Sequence, residues 1–353
     1  MLDGNATPLL EVDKLAMRFP IRRGLFGRTA GHVHAVDGVS FTLGQSETLG
    51  VVGESGCGKS TLARMIVRLV EPTEGSIRFE DTDITHLKPN AMRRYRRNIQ
   101  FVFQDPYASL NPRIRAGDIV GEALENYGIA RRQDLKDRIE GLFDRVGLRA
   151  DQIHHYPHEF SGGQRQRLGI ARALALNPSV IIADEPVSAL DVSVQAQVIN
   201  LMADLQAELG MSYLFIAHDL AVVQHISHRI AVMYLGRIVE LAPQRRLFAN
   251  PVHPYTEALL DSVPVPDPHQ RREKAVLPGE VPSPSKPPPG CHFHTRCPLA
   301  EERCRREVPP TVEIEPGHFV ACHVRAPAPS EAAPSFSTQT PHPTGKRPAG
   351  VTA

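Results

Sequence analysis

Residues 48–60 read TLGVVGESGCGKS. A short apolar run gives way to a loop with glycines at 53, 56 and 58, then to Lys59, Ser60 and an amphipathic stretch, TLARMIVRLV (61–70). The spacing is G-x-x-x-x-G-K-S between an expected buried strand and an expected helix. Glycines let successive backbone N–H groups turn inward around an anion, and the helix start adds its positive end. Lys59 is placed to reach the outer phosphates of a nucleotide and Ser60 to ligate Mg²⁺. Gly53, Glu54, Ser55, Gly56, Cys57, Gly58, Lys59, Ser60 and Thr61 therefore form the candidate phosphate site. A glycine-rich turn with a chance lysine lacks both the full spacing and the strand–helix context.

Outward from this loop, other short apolar runs read as buried strands: NIQFVFQD (98–105), VIIADEP (180–186) and SYLFIAHD (212–219). Amphipathic segments separate them, which implies a largely parallel α/β sheet over about residues 9–248. IAVMYLGRIVELA (230–242) reads as an antiparallel hairpin turning at Gly236-Arg237. The block 108–177 carries DLKDRIEGLFDRVGL and GGQRQRLGIARALALN, both helical in period, and reads as a helical subdomain inserted between two strands.

VIIADEP ends an apolar strand in Asp184 and Glu185. The aspartate can hold Mg²⁺, and the glutamate is placed to polarise an attacking water. Alone these would be the polar end of a strand; downstream of a phosphate loop they point to hydrolysis. In FSGGQRQRLGIARAL (160–174) Ser161 reads as an N-cap, and Gly162 and Gly163 leave helix-start N–H groups uncovered. One triphosphate uses one such loop. A second, remote one makes sense if it caps a nucleotide held by another subunit.

GESGCGKST, Gln104 in FVFQDPYASLNP, FSGGQ, VIIADEP, SALD (188–191) and His218 in FIAHD follow the order of an ABC transporter ATP-binding subunit, a resemblance that covers about residues 9–325. It implies a P-loop NTPase (RecA-like) core with an antiparallel β addition and two subunits sandwiching two ATP molecules head to tail. It further implies that Glu185 is the general base, Asp184 the Mg²⁺ partner and His218 a γ-phosphate contact orienting the water. Gln104 would ligate Mg²⁺ and report occupancy to membrane subunits. Ser161, Gly162, Gly163 and Gln164 would face the partner's nucleotide, and Asp191 would signal across the interface. Phe19 is the candidate adenine stack, although a long insertion, PIRRGLFGRTAGHVHAV, follows it. His154, His155 and His158 carry no assigned chemistry.

ADEPVSALDVSVQAQVINLM, NPVHPYTEALL and GEVPSPSKPPPGCHFHTRCP narrow the resemblance to the dipeptide/oligopeptide permease group, and to the second of its two paralogous ATPases. From about 249 to 325 the chain is proline-dense and reads as a small irregular extension. Residues 326–353 are Pro/Ala/Ser/Thr-rich, with disorder expected. The extension holds Cys291, Cys297, Cys304 and Cys322, spaced C-x5-C-x6-C-x17-C. Four thiolates can hold a [4Fe–4S] cluster; structural Zn²⁺ favours tighter pairs, and free thiols are the third reading. The resemblance also implies a cluster. Arg296, Arg303, Arg305 and Arg306 could offset thiolate charge, and His292, His294 and His323 read as solvated loop histidines. Cys57 is given no ligand role.

The chain has 353 residues, room for about two domains, and a formal net charge of +1, which offers no basic platform for nucleic acid. No apolar run is long enough to span a bilayer, and no secretory signal is evident. The expected place is cytoplasmic, at the inner face of the cell membrane, beside two separate transmembrane permease subunits. An extracytoplasmic substrate-binding protein would deliver the solute. The alternatives are an importer ATPase for another solute such as nickel, or a soluble, non-transport ABC ATPase. The single cassette and the lack of a coiled coil speak against the latter.

Overall fold

The computed structural model describes residues 7–23, 28–262 and 279–326. Its strands, in chain order, are β1 (Leu10–Arg23), β2 (Arg28–Leu43), β3 (Thr48–Val52), β4 (Glu74–Phe79), β5 (Thr82–Asp83), β6 (Ile99–Val102), β7 (Val180–Asp184), β8 (Ser212–Ile216), β9 (Arg229–Tyr234), β10 (Arg237–Pro243), β11 (Val312–Glu315) and β12 (His318–Val320). Eight of them order as β11-β12-β10-β9-β3-β8-β7-β6, and β2-β1-β4-β5 form a second, antiparallel sheet. The block β9-β3-β8-β7-β6 is parallel.

The parallel block explains why its strands read as unbroken apolar runs. Every residue of β3, β7 and β8 is buried, as happens when both faces of a parallel sheet are covered. Alternation still sorts the side chains. Tyr213 and Phe215 enter one core, while Leu214 and Ile216 enter the other. The register pairs Asp184 with Ile216 and Val51 with both Ile216 and Ala231. The loops after β3, β7 and β8 therefore open side by side at the carboxyl edge, where ligands bind in open α/β sheets.

Between β6 and β7 run the helices Ala116–Asn126, Arg132–Arg145 and Gly162–Leu174. They pack on one another through Ile119, Val120, Leu124, Phe143, Leu168 and Ala171.

Three local features differ from the sequence reading. The hairpin turns at Leu235-Gly236, one residue earlier than expected, because Tyr234 pairs with Arg237. Both turn residues have positive φ, 43° and 83°, as a two-residue hairpin of the right twist requires. Among the described residues, 20–23 and 28–36 of the insertion expected after Phe19 belong to β1 and β2, with Phe19 opposite Val33 and Ile21 opposite Gly31. The proline-dense extension is not wholly irregular. Its β12 pairs with the open edge of β10, Glu240 opposite Val320, and β11 follows it. Phe293 of the extension is fully buried against Tyr234 and Tyr255, with ring centroids 5.2 and 5.4 Å away. The tail beyond 326, expected to be disordered, lies outside the described residues.

Candidate functional site

The phosphate loop leaves β3 at Val52 and ends in the helix Lys59–Ile66. Two of its glycines are obligatory on steric grounds. At Gly53 (φ 154°) a Cβ would lie 2.1 Å from the Met233 carbonyl oxygen, and at Gly58 (φ 106°) 2.0 Å from that of Ala35. Lys59 is 4% exposed, and its Nζ donates to the carbonyls of Gly53 (2.8 Å) and Glu54 (3.1 Å). The ammonium thus spans the concave side of the loop, where an anion would sit. The Cys57 thiol is buried within the loop, and burial pushes its pKa up.

Ser60 Oγ donates to Asp184 Oδ1 at 2.9 Å. The carboxyl end of β7, one strand beyond β8 from β3, meets the start of the Lys59–Ile66 helix and brings these two Mg²⁺ candidates together across 124 positions of sequence. Burial raises the Asp184 pKa, opposed by the Ser60 hydrogen bond and by the positive charges of Arg64 and Lys59. A carboxylate and a hydroxyl at the loop's mouth are hard oxygen donors of the kind Mg²⁺ takes through one or two protein ligands.

Glu185 leaves the strand with φ 47°, a left-handed backbone held by its N–H donating to the Ile216 carbonyl (3.0 Å). Glu185 Oε2 accepts from Gln104 Nε2 at 2.8 Å and lies 3.5 Å from His218 Nδ1. The Glu185 side chain is 15% exposed and that of His218 56%. A cleft of about 30 Å³ lies beside both, lined also by Ser188, Gln195 and Asp219, with room for a water. The three residues proposed for hydrolysis, from the ends of three strands, therefore meet at one point.

Ser161 caps the helix Gly162–Leu174: its Oγ accepts from Gln164 N–H (3.3 Å), and Gln164 Oε1 accepts from Ser161 N–H (2.9 Å). This is a reciprocal capping box. Gly163 has no room for a side chain, since a Cβ would stand 2.4 Å from Val194. Asp191 starts the helix Val192–Leu209, and its side chain makes no capping hydrogen bond. The serine and the aspartate are exposed. Phe19 is 37% exposed on β1.

The four C-terminal cysteines are free thiols gathered in one small unit. Cys291 and Cys297 pack against the larger core, and Cys304 and Cys322 are buried. Burial pushes the Cys291 thiol up to about 11, and the neighbouring Cys304, Cys297 and Cys322 add to the rise. The Cys297 thiol is likewise raised, mainly by burial. The expected metal centre is not supported: among the described residues no group of three or more His, Cys, Asp or Glu is arranged to hold a metal ion.

Three of the four arginines expected to offset thiolate charge have other partners. Arg296 pairs with Glu54 of the phosphate loop, Arg303 donates to His323, and Arg306 pairs with Glu302. His292, read as solvated, is buried with Nδ1 3.1 Å from the Leu235 carbonyl. Tyr255, unmentioned by sequence reasoning, accepts a hydrogen bond from the Glu54 N–H at 2.9 Å. No local pattern signalled the contacts of Arg296, His292 and Tyr255, which join residues more than fifty positions apart.

Two helix starts open to phosphate on separate parts of one chain, one beside a strand-end Asp-Glu pair, define an ATP-binding cassette. The ABC transporter family model matches residues 36–188, and the model of the oligopeptide/dipeptide transporter C-terminal region matches residues 239–304. A probable peptide ABC transporter ATP-binding protein of Sinorhizobium fredii is 59% identical over 91% of this chain and 91% of its own. The oligopeptide transport ATP-binding protein AppF of Bacillus subtilis is 55% identical over 92% and 99%. Among solved structures, a dimeric ATP-binding cassette in a post-hydrolysis state with ADP and phosphate matches with TM-score 0.60 at 27% identity, over 67% of this chain and 99% of its own. The chain belongs to the ATP-binding proteins of the oligopeptide/dipeptide ABC transporters, and it is an ABC-type ATPase. Among the described residues no helix is long and apolar enough to cross a membrane.

Proposed function

We propose that this chain binds and hydrolyses ATP to energise import of dipeptides or oligopeptides, from the cytoplasmic face of the membrane. The oligopeptide/dipeptide C-terminal region at 239–304 carries the choice of cargo class. Hydrolysis rests on the meeting of Glu185, Gln104 and His218.

In this reading the loop N–H groups and Lys59 bind the triphosphate, and Phe19 stacks on adenine. Ser60, Asp184 and Gln104 would hold Mg²⁺, which when bound would neutralise charge on the phosphates. Glu185 takes a proton from water lying between it and the γ-phosphate, and His218 orients that water. The exposed Ser161–Gln164 helix start caps the nucleotide of a second ATPase subunit, and Asp191 lies along the same interface. The second subunit is a paralogous ATPase, with a homodimer as the other outcome. Two transmembrane permease subunits dock near Gln104 and the helical subdomain, where Tyr107 is 64% exposed. A substrate-binding protein outside the cell selects the solute.

The gathered thiols support a finer reading. Cys291, Cys297, Cys304 and Cys322 supply the soft donors that a [4Fe–4S] cluster takes, with Zn²⁺ as the alternative. Oxygen-free purification with a visible spectrum and iron, sulfide and zinc analysis separates cluster, zinc and bare thiols.

The test of the main reading is isolation of the tagged chain from detergent-solubilised membranes. Permease subunits and a second ATPase in the eluate uphold it. A nickel-specific system would correct the cargo. Co-purifying ribosomes or nucleic acid, without membrane proteins, would overturn it.

A further inference from the structure

The phosphate loop is held from outside the cassette core. Arg296 grips the Glu54 carboxylate with both arms of its guanidinium, Nη1 to Oε2 at 2.8 Å and Nη2 to Oε1 at 3.1 Å. The Arg296 side chain is 7% exposed and that of Glu54 27%, so the pair is shielded and the geometry is the bidentate one that makes arginine–carboxylate contacts strong.

Every polar handle of Glu54 is in use. Its N–H donates to Tyr255 Oη, its carbonyl accepts from Lys59 Nζ, and its carboxylate accepts from Arg296. Two of the three holders come from the chain beyond residue 250. They stand on a rigid base: Tyr234, Tyr255 and Phe293 are fully buried in mutual ring contact, and the Arg296 guanidinium lies 5.9 Å from the Tyr234 ring centroid. A second tie runs alongside. His292 bonds the Leu235 carbonyl, and the Gly236 N–H of that turn donates to the Cys57 carbonyl at 2.9 Å.

We propose that Arg296 is a positioning residue for nucleotide binding: by holding and neutralising Glu54, it keeps the phosphate loop shaped and charged to accept ATP. A bare carboxylate in a phosphate loop would repel the triphosphate. With Arg296 in place, that charge is cancelled and the loop's second residue is fixed before the nucleotide arrives. Arg296 stands between the cysteines at 291 and 297, so the phosphate loop is tied mechanically to the cysteine unit. The proposal rests on residues 53–61 being the ATP site.

The test measures binding of a fluorescent ATP analogue, ATPase KM and kcat, and nucleotide-free melting temperature for the full-length chain. The variants are R296Q, R296K, E54Q, the E54Q/R296Q double and K59A. R296Q should weaken nucleotide affinity on the order of tenfold, the equilibrium worth of one charge-assisted contact. It should raise KM correspondingly and leave kcat at saturating ATP close to wild type. R296K should recover part of the loss. The double variant should bind more tightly than R296Q, because the uncancelled carboxylate is gone. Unchanged affinity in R296Q, with K59A unable to bind, would overturn the positioning role alone. So would an affinity loss in the double equal to the product of the single losses, or a fall in melting temperature without a change in KM. Wild-type affinity in K59A would instead overturn the nucleotide-site assignment on which the proposal rests.

Discussion

Glu185→Gln separates binding from chemistry. Glutamine keeps the side chain's length, and its amide oxygen can still accept from Gln104 Nε2, now 2.8 Å from Oε2. The left-handed backbone at φ 47° and the N–H bond to the Ile216 carbonyl are untouched by the change. What disappears is the basic oxygen. A positioned general base contributes roughly 10²- to 10⁴-fold, which is about 3 to 5 kcal/mol of barrier. The groups assigned to the phosphates are Lys59, Ser60 and the loop backbone, so ATP affinity should stay near wild type. Single-turnover hydrolysis of radiolabelled ATP gives the chemical step, and equilibrium binding gives affinity. With hydrolysis blocked, ATP should also hold the two-subunit sandwich together, read as a shift in elution volume. A rate loss below about tenfold would remove Glu185 as base. Loss of ATP binding together with hydrolysis would show that the glutamate serves the site's architecture rather than proton transfer.

Three further outcomes follow from the geometry. Lys59→Ala should abolish nucleotide binding, because it removes the buried ammonium that spans the loop; unchanged affinity would undo the phosphate-loop assignment. Phe293→Ala should lower stability by about 3 to 5 kcal/mol, since the ring is fully buried against Tyr234 and Tyr255; denaturant unfolding measures it, and a loss under about 1 kcal/mol would mean the extension is not docked there. His253 is buried with its pKa lowered to about 4, chiefly by desolvation, while its Nδ1 accepts from the Tyr255 N–H. The folded state thus resists protonation that the unfolded chain accepts near pH 6.5. Its contribution is present above that pH and is lost as pH falls towards 4, amounting to about 2 kcal/mol between pH 7.5 and 5. Unfolding titrations of the wild type and His253→Asn should show that slope in the former and a reduced one in the latter; equal slopes would contradict it.

The candidate nucleotide site was legible as a group of residues because its motifs are linear. The loop, Asp184 with Glu185, and Ser161 with its glycines each sit within a few residues, and spacing alone placed them at strand ends or a helix start. The parallel block was legible for a similar reason, since strands covered on both faces read as continuous apolar runs. What escaped depends on distant neighbours. The Glu54–Arg296 pair joins residues 242 positions apart, and nothing in HTRCP (294–298) says which carboxylate the arginine meets. His292 lies among loop-forming residues yet is buried because the unit folds back onto the β9–β10 turn. The two short strands of the extension needed an open edge on β10 to become strands at all. The hairpin turn fell one residue early because Leu235 takes a positive φ, which a leucine does not advertise.

The most direct measurement of the central claim is ATP hydrolysis by the assembled transporter in lipid vesicles, with substrate-binding protein added empty or loaded with a defined peptide. The account predicts that the peptide-loaded protein stimulates hydrolysis, that peptide accumulates in the vesicles with ATP consumption, and that Glu185→Gln abolishes both. Hydrolysis indifferent to peptide and binding protein, with no accumulation, would contradict it.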